Sequence, residues 1–497
     1  MTQPTTATAK LEARFRQIAA VDSASGILHW DAATMLPEHS ADARADQLAA
    51  LAELAHEKLT DPALADWFAA AQNETPEGWQ RANLDEMHAR WQHATAVPQA
   101  LVSHLTKLRI TSEHLWRKAR ETSNYGMFLP TFRDVIAATR EVASTKADAL
   151  GLHPYDALLD SYDRGMRRST IDPIFAQLKT WLPDFVGTVI DHQARTPMEP
   201  IAAHVPVQKQ EALGRAMMLA LGFDTSRGRI DVSAHPFCGG APGDVRITTR
   251  YREDRFTDAL YGVLHETGHA LYEQGLPERW RGLPIGDARG MSMHESQSLF
   301  VEMQVSRSHA FLQFLLPQLQ QTFGLTGTVW NEANVYRNLT RVERSFIRVN
   351  ADEVTYPLHV IWRYELEQAL LSGDLDAADL PSAWAEKTQH YLHITPPDDT
   401  QGCLQDIHWP EGMFGYFPTY TLGAMTAAQL MSACRRALPN LDAQIARGEF
   451  APMVQWLRSH VHEKASSESG EAILRAATGE ALNPAHFEAH LKARYLA

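Results

Sequence analysis

Five consecutive residues, His265-Glu266-Thr267-Gly268-His269, have the types and spacing to do chemistry on a metal ion. Residues four apart on a helix lie one turn apart on the same face, so both imidazoles can reach one cation. Glu266 stands one step round the helix, where it addresses a water rather than the ion. Such a set is the working core of a zinc hydrolase with glutamate as general base. The bland alternative is a helix carrying two ordinary histidines. Residues elsewhere in the chain must decide between the two.

A catalytic zinc needs a third protein ligand and an open position. After His269 the candidates are Glu273, Glu278, Asp287, His294 and Glu295. Glu273 continues the same helix face, but a ligand one more turn along would be strained. Glu295 opens a new helix in Met291-Ser292-Met293-His294-Glu295-Ser296, beyond a loop containing Gly282, Pro284, Gly286 and Gly290. Two antiparallel helices joined by that loop bring Glu295 back across the histidines. The favoured set is His265, His269 and Glu295, with His294 as rival ligand or as a contact to substrate or to a ligand.

The elements that must hold these groups read almost entirely as helix. The run from Phe256 to Leu276 repeats Leu260, Val263, Leu264 and Leu271 at helical spacing, with Thr257-Asp258 as a start and Gly275 before Pro277 as a stop. Leu11, Phe15, Ile18 and Ala19 form one apolar face, and Ser40 is placed to cap a helix carrying Leu48, Leu51, Leu54 and Leu59. The helical pattern continues from about Trp79 to Ala119, Asp172-Pro173 reads as a helix start, and further helices fall at 296–320, 330–348, 354–372 and 425–447. Asp244-Val245-Arg246-Ile247-Thr248-Thr249 alternates instead, and predicts a strand after a Gly-rich turn. Such a strand would serve a peptide hydrolase by offering an exposed edge to an extended substrate, or would be a structural hairpin. No repeat or long linker divides the chain, so one large unit is expected over 1–497. Its helical N-terminal part runs to about 230, a motif-bearing part spans about 231–425, and C-terminal helices fill 426–497.

The whole chain excludes several classes. At 497 residues it can bury a large core, and 44% hydrophobic with 21% charged residues is ordinary for a globular protein. A formal net charge of −14, with no compensating basic stretch, argues against a nucleic-acid partner. The three cysteines, Cys238, Cys403 and Cys434, form no C-x-x-C pair, which excludes a thiolate zinc site and suits a reducing compartment. With no apolar leader segment and no long apolar run, a cytoplasmic protein without membrane contact is expected.

The motifs converge on one family. H-E-T-G-H followed by H-E-S-Q-S closely resembles the M32 metallocarboxypeptidases, the family of thermostable carboxypeptidase Taq. Leu28-His29-Trp30-Asp31 with Thr34 and Pro37, and His153-Pro154-Tyr155-Asp156-Ala157-Leu158-Leu159-Asp160, resemble its earlier segments. His235-Pro236-Phe237, Asp244-Val245-Arg246-Ile247-Thr248, Ile347-Arg348-Val349-Asn350-Ala351-Asp352 and Gly402-Cys403-Leu404-Gln405-Asp406-Ile407-His408-Trp409 are similar to four later motifs, in the family's order. The resemblance implies Glu295 as third zinc ligand and Glu266 as general base. It also implies a mainly α fold of gluzincin type with a small sheet beside a deep groove, and a homodimer. A more distant resemblance is to zinc peptidases of the angiotensin-converting-enzyme type.

Chemistry assigns roles to the remaining motif residues. The tetrahedral oxyanion of peptide hydrolysis needs a donor besides zinc, and His408 and Tyr420 are the candidates; a buried histidine and a core tyrosine are the alternatives. His235 is placed to hold a substrate carbonyl. An exopeptidase acting at the C-terminus needs a cation for the free carboxylate, which suits the planar fork of arginine. Arg348 and Arg246 are the candidates, each with a structural rival: an ion pair with Asp352 and with Asp244, respectively. The expected activity is a Zn2+ (or Co2+) carboxypeptidase of broad side-chain tolerance. An endopeptidase or dipeptidase of the same chemistry, or a helical scaffold that has lost catalysis, are the alternatives.

Overall fold

A computed structural model describes residues 6–496. The architecture is mainly helical, with one three-stranded sheet among the described residues. Most buried apolar side chains join a single core that runs from Trp116 to Tyr495. A smaller cluster under the N-terminal helix Ala7–Thr34 gathers Leu11, Phe15, Leu64, Phe68 and Met87 with Leu283 and Ile285. It fastens the N-terminal helices to the loop that precedes Glu295.

The H-E-x-x-H residues lie on a helix spanning Phe256–Gly275, with Leu260, Leu264 and Leu271 in the main core. The helix ends at Gly275, as its sequence predicts, but begins one residue before Thr257. Its N-cap is Arg255, which pairs with Asp258 at 2.9 Å. A second helix, Gly290–Leu299, crosses it and carries Glu295. The close crossing needs glycine: a Cβ at Gly268 would lie 2.4 Å from the Gln297 carbonyl oxygen. The helix Pro418–Ala437 backs the crossing helix from the other side, and there a Cβ at Gly423 would sit 2.8 Å from Glu295 Cβ. Glu295 is thus aimed by two backbones in van der Waals contact with its own helix.

The sheet has the order β1-β3-β2, with β1 Gly228–Val232, β2 Cys238–Ala241 and β3 Asp244–Thr249. β3 pairs in parallel with β1 and antiparallel with β2, so the strand expected to offer an edge is the central one. Alternating residues report that one face is buried; they do not report how many neighbours a strand has. Val245 and Ile247 bury against Val263 and Ala270, which pins the sheet to the H-E-x-x-H helix. β2 forms one edge and packs on the N-terminal helix, where a Cβ at Gly26 would meet the Gly240 carbonyl at 2.3 Å.

Other boundaries differ from the sequence pattern for local reasons. The 79–119 pattern is two helices, Gly78–Ala96 and Gln99–Glu121, separated at Val97-Pro98 because the residue before proline avoids helical geometry. Asp172-Pro173 lies inside the helix Arg168–Lys179, and the Asp172 carboxylate accepts from Tyr364 Oη at 2.6 Å instead of capping. Ser40 precedes Ala41–Leu59 without a side-chain capping bond. Within 330–348, only Glu332–Leu339 is a regular helix before the short turn that begins at Arg348. No helix of the described residues is long and apolar enough to cross a membrane.

Candidate active site

His265, His269 and Glu295 come together: one ligand atom from each lies within 4.8 Å of the other two. Both histidines turn Nε2 towards Glu295, at 3.9 Å for His265 and 3.4 Å for His269. Their other nitrogens are held from behind. His265 Nδ1 meets Glu302 Oε2 at 3.0 Å, and Glu302 in turn accepts from Arg307 at 2.9 Å. His269 Nδ1 meets His294 Nδ1 at 2.6 Å, while His294 Nε2 meets Glu273 at 2.8 Å. His294, the rival candidate, thus has both ring nitrogens engaged, by His269 and by Glu273. Contacts of this kind fix ring orientation and leave Nε2 free for the ion.

The electrostatics fit a divalent cation. Glu266, Glu295 and Glu302 crowd His265 and His269, with Arg307 paired to Glu302 and His294 to Glu273. Burial disfavours charge on His265, yet Glu295, the bond to Glu302 and Glu266 lift it to about 10. Burial opposes ionisation of Glu295 too, but His265 and the bond to His269 hold it at about 2. Glu266 goes the other way: burial is the main cause, opposed by His265 and aided by Glu295, and its value rises to about 7. One more positive centre among these groups would relieve the surplus negative charge.

A second cluster faces the first. Tyr420 stands one turn before Gly423 on the backing helix, and its hydroxyl lies 3.0 Å from His408 Nε2. The Arg348 guanidinium sits over the Tyr420 ring at 4.7 Å. It does not pair with Asp352; its Nε donates to Asp406 at 2.9 Å and Nη1 to Tyr356 Oη at 3.1 Å. Arg363 donates to the same Asp406 at 2.6 Å, so two guanidiniums share one carboxylate and the buried group keeps a net positive charge. Burial, reinforced by Arg348, presses His408 down to about 3, so its ring is neutral near pH 7. Tyr420 is pushed up to about 12 by burial despite Arg348, so it keeps its proton.

The other two sequence candidates sit differently. Arg246 on β3 grips Asp244 with both ends of its fork, at 3.0 Å and 2.6 Å, and lies over the Trp30 ring at 4.4 Å. Its charge is neutralised on its own strand. His235 is exposed, and its neighbour Pro236 packs 3.8 Å from the position a Cβ would take at Gly262, one turn before His265. A cavity of about 760 Å³ borders His294 and Met291 and runs along the N-terminal helix past Ile18 and Asp22. Sequence reasoning missed Glu302 and the roles of Asp406 and Tyr356. Glu302 had a faint signal, seven residues beyond Glu295 in the same helical run; Asp406 had none beyond its place in a motif.

The comparisons agree with this geometry. A family model described as carboxypeptidase Taq (M32) metallopeptidase matches residues 10–495. Thermostable carboxypeptidase 1 of Thermus thermophilus is 39% identical, with 97% of each chain covered. The solved structure of Trypanosoma cruzi metallocarboxypeptidase 1 superposes with a TM-score of 0.97 at 40% identity, covering 99% of both chains. That of the M32 carboxypeptidase from Deinococcus radiodurans R1 gives 0.91 at 32% identity, covering 98% of both. With donors, fold and near-complete alignment in agreement, this chain belongs to the M32 family of metallocarboxypeptidases.

Proposed function

We propose that the enzyme is a zinc-dependent carboxypeptidase that releases single residues from the free C-terminus of peptides with broad side-chain tolerance, Co2+ being able to replace Zn2+. The observation that carries the reading is the pairing of a three-donor metal set with a net positive, buried arginine cluster next to it. His265, His269 and Glu295 would hold the ion, which when bound polarises the scissile carbonyl and acidifies water.

The chain's own groups do the rest. Glu266 takes the proton of the attacking water and passes it to the departing amine nitrogen, a task suited to a buried carboxylate one step round the helix from the two histidines. His408 and Tyr420 are assigned to the oxygen on which charge develops; their mutual bond uses one of the pair's two protons and leaves the other for that oxygen. Arg348 is preferred over Arg246 for the substrate carboxylate because Asp406 is shared by two guanidiniums, whereas Asp244 neutralises Arg246 alone. His235 is assigned to a substrate carbonyl beside the H-E-x-x-H helix. We also propose one catalytic unit over the whole chain, divided near 230 and 425 as the motifs suggest, working as a cytoplasmic homodimer. The resemblance and the unpaired cysteines support that part.

The test compares two peptides of one sequence, one with a free C-terminal carboxylate and one amidated. Stepwise loss from the free end alone, abolished by chelation and restored by zinc or cobalt, is expected. Equal cleavage of both would replace this reading with an endopeptidase.

A further inference from the structure

Glu302, the residue that holds His265 from behind, lies in an irregular stretch. Residues Phe300–Val305 form a π-helix directly after the helix that carries Glu295. Its closing bonds run from the Ser306 amide and hydroxyl to the Val301 carbonyl, at 2.9 Å and 2.7 Å. A helix end leaves carbonyls without partners within the helix, and side-chain donors are one way of satisfying them. Here the donor comes from the last helix of the chain, Pro484–Tyr495. Arg494 gives one guanidinium nitrogen to the Met303 carbonyl and the other to the Gln304 carbonyl, the latter at 3.0 Å.

The same arginine is locked in turn. Its Nη1 bonds Glu353 Oε2 at 2.9 Å, and Glu353 also accepts from His490 at 2.7 Å, Tyr495 Oη at 3.0 Å and the Gln304 side chain at 3.2 Å. Glu353 is 3% exposed. Burying an ion pair contributes little net stability, because desolvation offsets the attraction; here the pair, with His490, Tyr495 and Gln304 also on Glu353, holds the guanidinium at the two carbonyls. The geometry secured here is that of Met303 and Gln304, the two residues after Glu302.

We infer that Arg494, clamped by Glu353, is a positioning residue for the metal centre: it fixes the π-turn, the π-turn aims Glu302, and Glu302 orients His265. This rests on His265, His269 and Glu295 being the metal ligands. It assigns to the C-terminal helix, which contributes no ligand, a share of the metal affinity. Loss of a group that orients a ligand typically lowers metal affinity about 10–100-fold.

The experiment measures zinc affinity of the full-length protein by competition with a chromogenic chelator, with the melting temperature of each metal-free variant measured in parallel. Glu302→Gln and Arg494→Met are each expected to weaken zinc about 10-fold or more. The double variant is expected to lose no more than the weaker of the two, because both changes break one chain of contacts. Arg494→Lys, which keeps the charge on Glu353 but cannot fork across two carbonyls, should fall between wild type and Arg494→Met, and it serves where the latter does not fold. Wild-type affinity in Arg494→Lys and Arg494→Met, or additive losses in the double variant, would overturn the inference. A wild-type protein that binds no zinc, or a His269→Ala variant that binds it normally, would instead defeat the underlying assignment of the metal site.

Discussion

The two halves of the active site are built by different means. The metal half sits on two regular helices, Phe256–Gly275 and Gly290–Leu299, whose backbones touch at Gly268 and are backed at Gly423. The half assigned to the substrate carboxylate has Arg348 in a three-residue turn and Asp406 and His408 in an irregular stretch, while Tyr356, Arg363 and Glu367 stand on the helix Tyr356–Ser372 and Tyr420 on Pro418–Ala437. Irregular backbone cannot aim a side chain through its own hydrogen-bond ladder, so buried ion pairs and hydrogen bonds from other segments do it. Arg348 and Arg363 converge on Asp406, and Glu367 accepts from Tyr155, Trp409 and the Gly415 amide. A helix positions a ligand by geometry it would have anyway. An irregular segment needs partners from distant parts of the chain, and those partners are specific to this fold.

The comparison can be broken from the metal side first. Glu266→Gln should lower kcat about 1,000-fold while zinc stays bound and the free-versus-amidated preference of the residual activity is unchanged. Chelator competition and steady-state kinetics together check it. Retained turnover would remove Glu266 from the general-base role.

The other half should fail in a different way. Arg348→Met should cut kcat/KM for peptides with a free carboxylate about 100-fold and leave zinc affinity unchanged, since it removes a charge-assisted contact to substrate. The difference between free and amidated peptides should shrink accordingly. Arg246→Met should do neither, because Asp244 already occupies its fork; an effect of equal size there would reassign the carboxylate site.

A third change tests the glycine crossing itself. Gly268→Ala puts a Cβ 2.4 Å from the Gln297 carbonyl, where the neighbour is backbone and must move. We expect a stability loss of about 2 kcal/mol by thermal or denaturant melting, accompanied by weaker zinc binding. Normal zinc affinity in that variant would show that the helix crossing is not what aims Glu295.

The smallest effect is on pH dependence. Burial opposes ionisation of Asp406, but Arg363 and Arg348 overcome it and hold its carboxyl well below the usual value of 3.8. A depressed folded value means that this contribution to stability is fully present above about 3.8 and is lost as the pH falls towards the folded value. Metal-free wild type should therefore lose stability on acidification below that point more steeply than Asp406→Asn, as followed by melting at stepped pH. Parallel curves would mean that the cluster is not held by charge.

Much of the metal half is legible in the amino-acid sequence, and little of the other half is. His265 and His269 are a local pair on one helix, and the glycines of the 275–290 loop announce the return of the chain towards Glu295. The braces are not local: Glu302 lies 37 positions from His265, and Asp406 lies 58 from Arg348. Asp352, four residues from Arg348, is the partner that spacing alone suggests, and it bonds its own turn through the Val354 and Thr355 amides instead.

By itself the sequence determined the helical class, the H-E-x-x-H pair on one helix, and a following helix that carries Glu295. Each depends on periodicity, local spacing or the loop that joins two neighbouring helices. Only the tertiary structure decided that β3 is interior, that His294 bonds His269 and Glu273, that Arg348 pairs with Asp406 rather than Asp352, and that the last helix reaches Glu302's turn. Those facts depend on which distant segments meet, and that is settled by packing the whole core.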